Sequence, residues 1–186
     1  MLQSCSSQDA DNYKGYETPH YEVLEKIDEF EIRKYSARIV SEIEVQGDRQ
    51  EAARGGFKAL AQYIFGKNLT DENVKMTSPV EQFQNNSDEK NKWVVRFSMP
   101  TKYGISDLPK AINREIKFHT LDEHKAVALK FSGKWSDENI NVQREKLAMF
   151  IWRQGLKTKG EEVIAYYDSP FTFPWNRRNE ILWEIE

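Results

Sequence analysis

The residues with the clearest chemical potential lie between Gln50 and Phe65, a stretch that ends at Gly66. Arg54 and Lys58 stand four residues apart, and Ala61 and Phe65 continue the same row at helical spacing. One stripe of a helix is therefore cationic at one end and apolar at the other. A guanidinium holds a carboxylate through two parallel hydrogen bonds, so this stripe suits capture of an acidic molecule, with Ala61 and Phe65 lining a groove. Phe57 falls on the neighbouring row, Ala53, Phe57, Leu60 and Ile64, which reads as the buried stripe, and it stands at the boundary between core and ligand contact. The competing reading of Arg54 and Lys58 is a solvated helix face. Gly55 and Gly56 lie beside them, each costing a helix roughly 1 kcal/mol relative to alanine. Close approach by a ligand explains that cost, and so does tight packing on a sheet.

Other reactive groups point away from catalysis. None of His20, His119 and His124 has a second histidine or a carboxylate at metal-ligand spacing, and none accompanies a nucleophile. Ser78 and Ser169 precede prolines without a G-x-S-x-G elbow, and no Gly-rich phosphate loop is present. Met76 has a thioether able to reach iron, but a strand methionine more often fills a gap in a core. Glu180 beside Arg177 and Arg178 suits either a pocket network or a paired cluster at a strand end. The sequence thus gives no catalytic residues and no metal site.

The elements that must position these groups form two similar series. Tyr21 to Ile27 and Phe30 to Tyr35 read as half-exposed strands. In Ala37 to Val45 the odd positions turn inward, leaving Arg38, Glu42 and Glu44 outward. Asp48 caps the helix that follows. Met76 to Pro79 reads as a strand whose proline suits an edge or a bulge, and Trp93, Val95, Phe97 and Met99 share one face of the next. After a connection from Thr101 to Asn113, the second series runs through Ile116 to Leu121, Ala126 to Ser132, and a helix from Glu138 to Gln154 capped by Ser136. Glu162 to Tyr167 and Ile181 to Ile185 close it. Ser-Pro steps at Ser78-Pro79 and Ser169-Pro170 invite alignment of the series as an internal repeat, one domain built from two halves of strand, strand, helix, strand, strand. The halves span about residues 20–100 and 114–186, after a polar N-terminal tether over residues 1–19.

Composition sets the remaining bounds. A chain of 186 residues is long enough to bury a sizeable core in one domain. Its net charge of −3, with both signs interspersed, gives no electrostatic footprint for nucleic acid. Five Trp, eight Tyr and ten Phe supply much of the burial and suit a groove for a flat ligand. With one cysteine, no intramolecular disulfide can form. That residue, Cys5, follows Leu2-Gln3-Ser4, which resembles the end of a bacterial lipoprotein signal without its apolar segment. A lipidated Cys5 would place the protein on a membrane in the periplasm and be its only membrane attachment; otherwise it is cytoplasmic. Oligomeric state is not set by the sequence.

Five motifs in order, Phe30-Glu31-Ile32-Arg33-Lys34-Tyr35, Tyr63-Ile64-Phe65-Gly66-Lys67-Asn68, Met76-Thr77-Ser78-Pro79-Val80, Arg96-Phe97-Ser98-Met99-Pro100 and Arg177-Arg178-Asn179-Glu180, resemble the SOUL haem-binding family from about Tyr21 onward. Phe131 to Ser136 and Tyr166 to Pro170 look like its bacterial branch. The resemblance implies an α+β fold, a distorted antiparallel β-barrel of two pseudo-symmetric ββαββ halves with two outer helices. It also implies haem or another porphyrin as ligand, in a surface groove beside the first helix, with Arg54 where members have an arginine proposed to pair with a propionate. The match is incomplete. Gln62 stands where a lysine is proposed, Phe171 to Asn176 contains no cation, and Lys34 replaces a histidine discussed as an iron ligand. Non-catalytic tetrapyrrole binding by Arg54, Phe57, Lys58, Ala61 and Phe65 is thus the leading expectation. A tetrapyrrole-dechelating enzyme, or a sensor or scaffold for another amphipathic ligand, are the alternatives.

Overall fold

The computed structural model describes residues 12–85 and 91–186. Cys5 and most of the expected tether lie outside the described residues, as do residues 86–90 of the polar loop before Trp93. Two short strands, β1 (Asn12–Tyr13) and β2 (Tyr16–Glu17), make a hairpin. Tyr13 Oη and Lys14 Nζ bind Asp168 at 2.9 and 2.5 Å, so residues 12–17 pack on the fold.

Nine strands form one antiparallel sheet. They are β3 (Tyr21–Ile27), β4 (Phe30–Tyr35), β5 (Arg38–Gln46), β6 (Val80–Gln84), β7 (Lys92–Ser98), β8 (Lys117–Leu121), β9 (His124–Phe131), β10 (Thr158–Tyr166) and β11 (Asn179–Ile185). Helix α1 (Arg49–Ile64) joins β5 to β6, and α2 (Asp137–Gln154) joins β9 to β10. The spatial order is β3-β4-β9-β11-β10-β6-β7-β5-β8. From the central β6–β10 ladder the order runs outward alike on both sides, and β4 and β8 each pair with a strand of the other series. Both series therefore share one sheet.

The sheet stays open, with β3 and β8 at its ends, and does not close into the barrel that the resemblance implies. Closure requires those two strands to pair. A register shift interrupts β3 between Val23 and Glu25, and its outer half exposes Glu22, Glu25 and Lys26, features that discourage further pairing at an edge. The Ser-Pro steps are also not equivalent: Ser78-Pro79 enters β6, whereas Ser169-Pro170 follows β10. Because β6 and β10 run antiparallel with Val80 opposite Tyr166, both steps lie at one end of the central ladder. Pro79 precedes an inner strand instead of occupying an edge, and its missing N–H costs the ladder nothing.

Strand alternation gives the sheet two unlike faces. Ile43, Val95 and Phe97 meet Leu60, Tyr63 and Ile64 of α1, while Val127, Leu129, Ile164 and Ile181 meet Ile140, Leu147 and Ile151 of α2. Each buried Leu or Ile stabilises the fold by about 1.5–3 kcal/mol. The register places both helices on the same face. Arg49 ties their N-termini together, donating to Asp137 Oδ1 at 2.8 Å, to the Trp135 carbonyl at 2.6 Å and to Tyr166 Oη at 2.8 Å. Asp48 caps α1 in a capping box with Glu51, Ser136 caps α2, and Gly155 in the left-handed region ends it.

The buried row of α1 is Ala52, Gly56, Leu60, Tyr63 and Ile64, rotated from the row containing Ala53 and Phe57 that the spacing suggests. Gly56 explains the rotation. A Cβ there would lie 2.4 Å from Val95 Cγ2, so only glycine lets the helix seat this deeply. At Gly55 the added atom would meet only Val45 Cγ1, at 3.3 Å. Gly56→Ala is therefore expected to destabilise the protein by about 1–3 kcal/mol in urea denaturation. Gly55→Ala, which gains up to about 1 kcal/mol of helix propensity, should change stability by no more than about 1 kcal/mol in either direction. Equal effects of the two would contradict this packing.

Candidate functional site

On α1 the structure separates the five candidate residues. Arg54 and Lys58 are exposed, and no ion pair among the described residues engages either. Phe65 is 64% exposed at the helix end, and Phe57, 39% exposed, leans on Phe97 with ring centroids 5.7 Å apart. Ala61 is buried. Four of the five are thus exposed, and Ala61 is not. These four form an exposed row. The close approach at Gly56 is made by the sheet.

The opposite, helix-free face carries a dense polar network. Glu180 is fully buried and accepts from Arg33 Nη1 at 2.6 Å and from Arg178 Nη2 at 2.7 Å. Tyr167 Oη donates to it at 3.2 Å, and Tyr35 Oη accepts from Arg33 at 3.0 Å. Burial alone would push the Glu180 carboxyl up, but the two guanidiniums outweigh it and bring it down to about 2. A second buried carboxylate, Glu81, lies between Arg38 (2.7 Å) and Arg96 (3.3 Å), and Arg96 also pairs with Glu42. Burial opposes its charge too, and the arginines again win, lowering its pKa.

Between these networks the central strands carry Ala126, Ala128 and Ala165, all buried. Of these short side chains, Ala126 borders a space on the helix-free face beside Glu81. A cavity of about 530 Å³ lies there, lined by Tyr35, Arg38, Phe83, Ala126, Val163 and Leu182 among others. A smaller cavity of about 240 Å³ lies over the connection before β8, between Ile105 and Phe118. Neither is lined by the α1 candidates.

The other singled-out residues are accounted for. Met76 packs against the core under α1. His124 stacks on Tyr35, and its Nδ1 donates to the Asp122 carbonyl at 2.8 Å. His119 Nε2 lies 3.6 Å from Glu42. Lys34 pairs with Glu123 at 2.9 Å. Among the described residues no group of three or more His, Cys, Asp or Glu side chains could hold a metal ion, and no helix is long and apolar enough to cross a membrane. Arg177 is separate from Glu180, donating to the carbonyls of Thr172 and Pro170 and covering Trp135. Sequence reading missed Arg33, Arg38, Glu81 and Arg96. The available signal was a charge at the same alternate position of neighbouring strands, which a single strand presents as an outward, solvated residue.

Comparison with known proteins places this architecture. The family model described as SOUL heme-binding protein matches residues 16–184, and the chain belongs to that family. No curated protein sequence matches the chain. The fold is shared with the EcmrR C-terminal domain (TM-score 0.65, 12% identity, covering 89% of this chain and 98% of that one). A hydrolase from Listeria innocua is similar at TM-score 0.60 and 14% identity, covering 88% and 94%. SAV2435, solved bound to tetraphenylphosphonium, is similar at TM-score 0.54 and 14% identity, covering 85% and 94%. These likenesses concern the fold, which serves different functions in different proteins.

The buried network makes stability pH-dependent with a defined sign. Glu180 has a depressed folded-state pKa, so its contribution is complete above its ordinary value near 4.5 and is lost as pH falls towards about 2. Thermal melts of the wild type should therefore decline between pH 5 and 2 more steeply than those of Glu180→Gln. At neutral pH that variant should be less stable by about 3–5 kcal/mol, because Arg33 and Arg178 lose their counter-charge. Parallel pH profiles would contradict the assignment.

Proposed function

We propose that this protein is a non-catalytic binder of haem or a related tetrapyrrole, held on the outer face of α1. The observation that carries the reading is the family match across residues 16–184. The exposed residues of α1 support it in detail. Arg54 and Lys58, one helical turn apart, are separated by about 6 Å along the axis, within reach of two carboxylates on one edge of a porphyrin. Phe57 and Phe65 offer exposed apolar surface to the macrocycle, and Ala61 of the same helix is buried. An exposed face of this kind implies modest affinity and easy release, in keeping with a carrier. Attachment to a membrane through a lipidated Cys5 belongs to the same proposal, and an unmodified intact mass of membrane-extracted protein would remove it.

Titration with hemin, followed at the Soret band, should give a saturable shift at micromolar ligand. The double variant Arg54→Ala/Lys58→Ala should bind about tenfold more weakly, equivalent to about 1.4 kcal/mol, with unchanged folding. Absence of a saturable shift in the wild type would overturn the proposal. Chromatography after incubation with a metalloporphyrin should return the ligand unchanged, and recovery of metal-free porphyrin would establish a dechelating enzyme instead.

A further inference from the structure

The cavity on the helix-free face lies across the sheet from α1 and has no part in the reading above. Arg38 stands in its wall with a side chain only 10% exposed. One nitrogen is committed, Nη2 donating to Glu81 Oε1 at 2.7 Å. Nε and Nη1 are buried without an acceptor among the described residues. Arg33, Arg96 and Arg178, the other arginines buried on this face, have no such orphaned nitrogen. Unmet donors on a buried cation are costly, and in a native fold they mark a place where a further partner completes the bonding.

From this geometry we infer that the cavity is a second ligand site, for a molecule bearing a single carboxylate on an apolar body, with the carboxylate accepting from Arg38. Engaging it requires the guanidinium to swing from the wall towards the cavity. Nε and Nη1 have no acceptor where they stand, so that motion puts at stake only the Nη2 bond to Glu81, whose carboxylate keeps Arg96 as a partner. Ala126, Val163 and Leu182 form a floor for the apolar body, and Tyr35 and Phe83 are its aromatic walls. The volume of about 530 Å³ is of the size that encloses small organic ligands. Charge narrows the class. Asp122, Glu123 and Glu184 also line the cavity, against Lys159, and Glu123 is paired with Lys34. The surplus negative charge opposes a dianion while Arg38 favours a monoanion.

Calorimetric titration of the full chain with 2-naphthoate, neutral 2-naphthamide and the dianion naphthalene-2,6-dicarboxylate tests the inference. Saturable one-to-one binding of 2-naphthoate is expected, at least tenfold tighter than of either comparison compound. Arg38→Gln should reduce it at least tenfold. Ala126→Leu, which fills the floor and keeps Arg38 with its Glu81 partner, should also abolish it and guards against misfolding of the first variant. No binding of 2-naphthoate, equal binding of the amide, preference for the dicarboxylate, or full binding by a folded Arg38→Gln protein would overturn the inference. Hemin distinguishes the two sites. Its affinity should be unchanged in Ala126→Leu and weakened in Arg54→Ala/Lys58→Ala, whereas a loss in Ala126→Leu would overturn the assignment of separate sites.

Discussion

A carboxylate buried in the middle of a sheet stays charged only when cations are delivered to it, and this requirement shapes the helix-free face. Glu180 on β11 draws Arg33 from β4 and Arg178 from the residue just before β11, while Glu81 on β6 draws Arg38 from β5 and Arg96 from β7. The register makes these meetings possible: Glu81 stands opposite Arg96 on one side and Ala165 on the other, and Ala165 stands opposite Glu180. The alanine between the two anions separates the networks. Buried ion pairs of this kind contribute less to net stability than their geometry suggests, but removing one partner is costly. Their effect is to hold strands from both series in one fixed arrangement.

The helix side obeys a different constraint. Both helices settle on apolar stripes, and Gly56 brings α1 so close to β7 that its outer surface is set by what cannot turn inward. Arg54 and Lys58 remain in solvent because Ala52, Leu60 and Ile64 fill the sheet side. The exposed row of α1 is thus a by-product of close helix seating. Arg49, gripping Asp137, the Trp135 carbonyl and Tyr166, fixes α1 and α2 relative to each other over the central ladder.

Much of the fold was legible in the sequence. Period-two runs located β5, β7 and β9, and Asp48 and Ser136 marked both helix starts, because these signals depend on neighbours in the chain. The phase of α1 was less legible. Counting Ala53 and Phe57 as core gave an apolar row of larger side chains, but the sheet selected Gly56, whose lack of a side chain carries no hydropathy signal. Barrel closure was misjudged because it depends on pairing between two strands far apart in sequence. The candidate site divides similarly. Arg54 and Lys58 could be read from local spacing, whereas the Arg38, Glu81 and Arg96 cluster exists only through cross-strand register, and each residue alone resembles a solvated charge.

The central claim is that the protein is built to carry a tetrapyrrole without transforming it. Native mass spectrometry of freshly isolated protein tests this most directly, because a retained molecule reports its own mass. The account predicts a one-to-one adduct of porphyrin mass that is released intact on denaturation. Protein from haem-replete cells that carries no adduct, or one with the mass of an unrelated molecule, would contradict it.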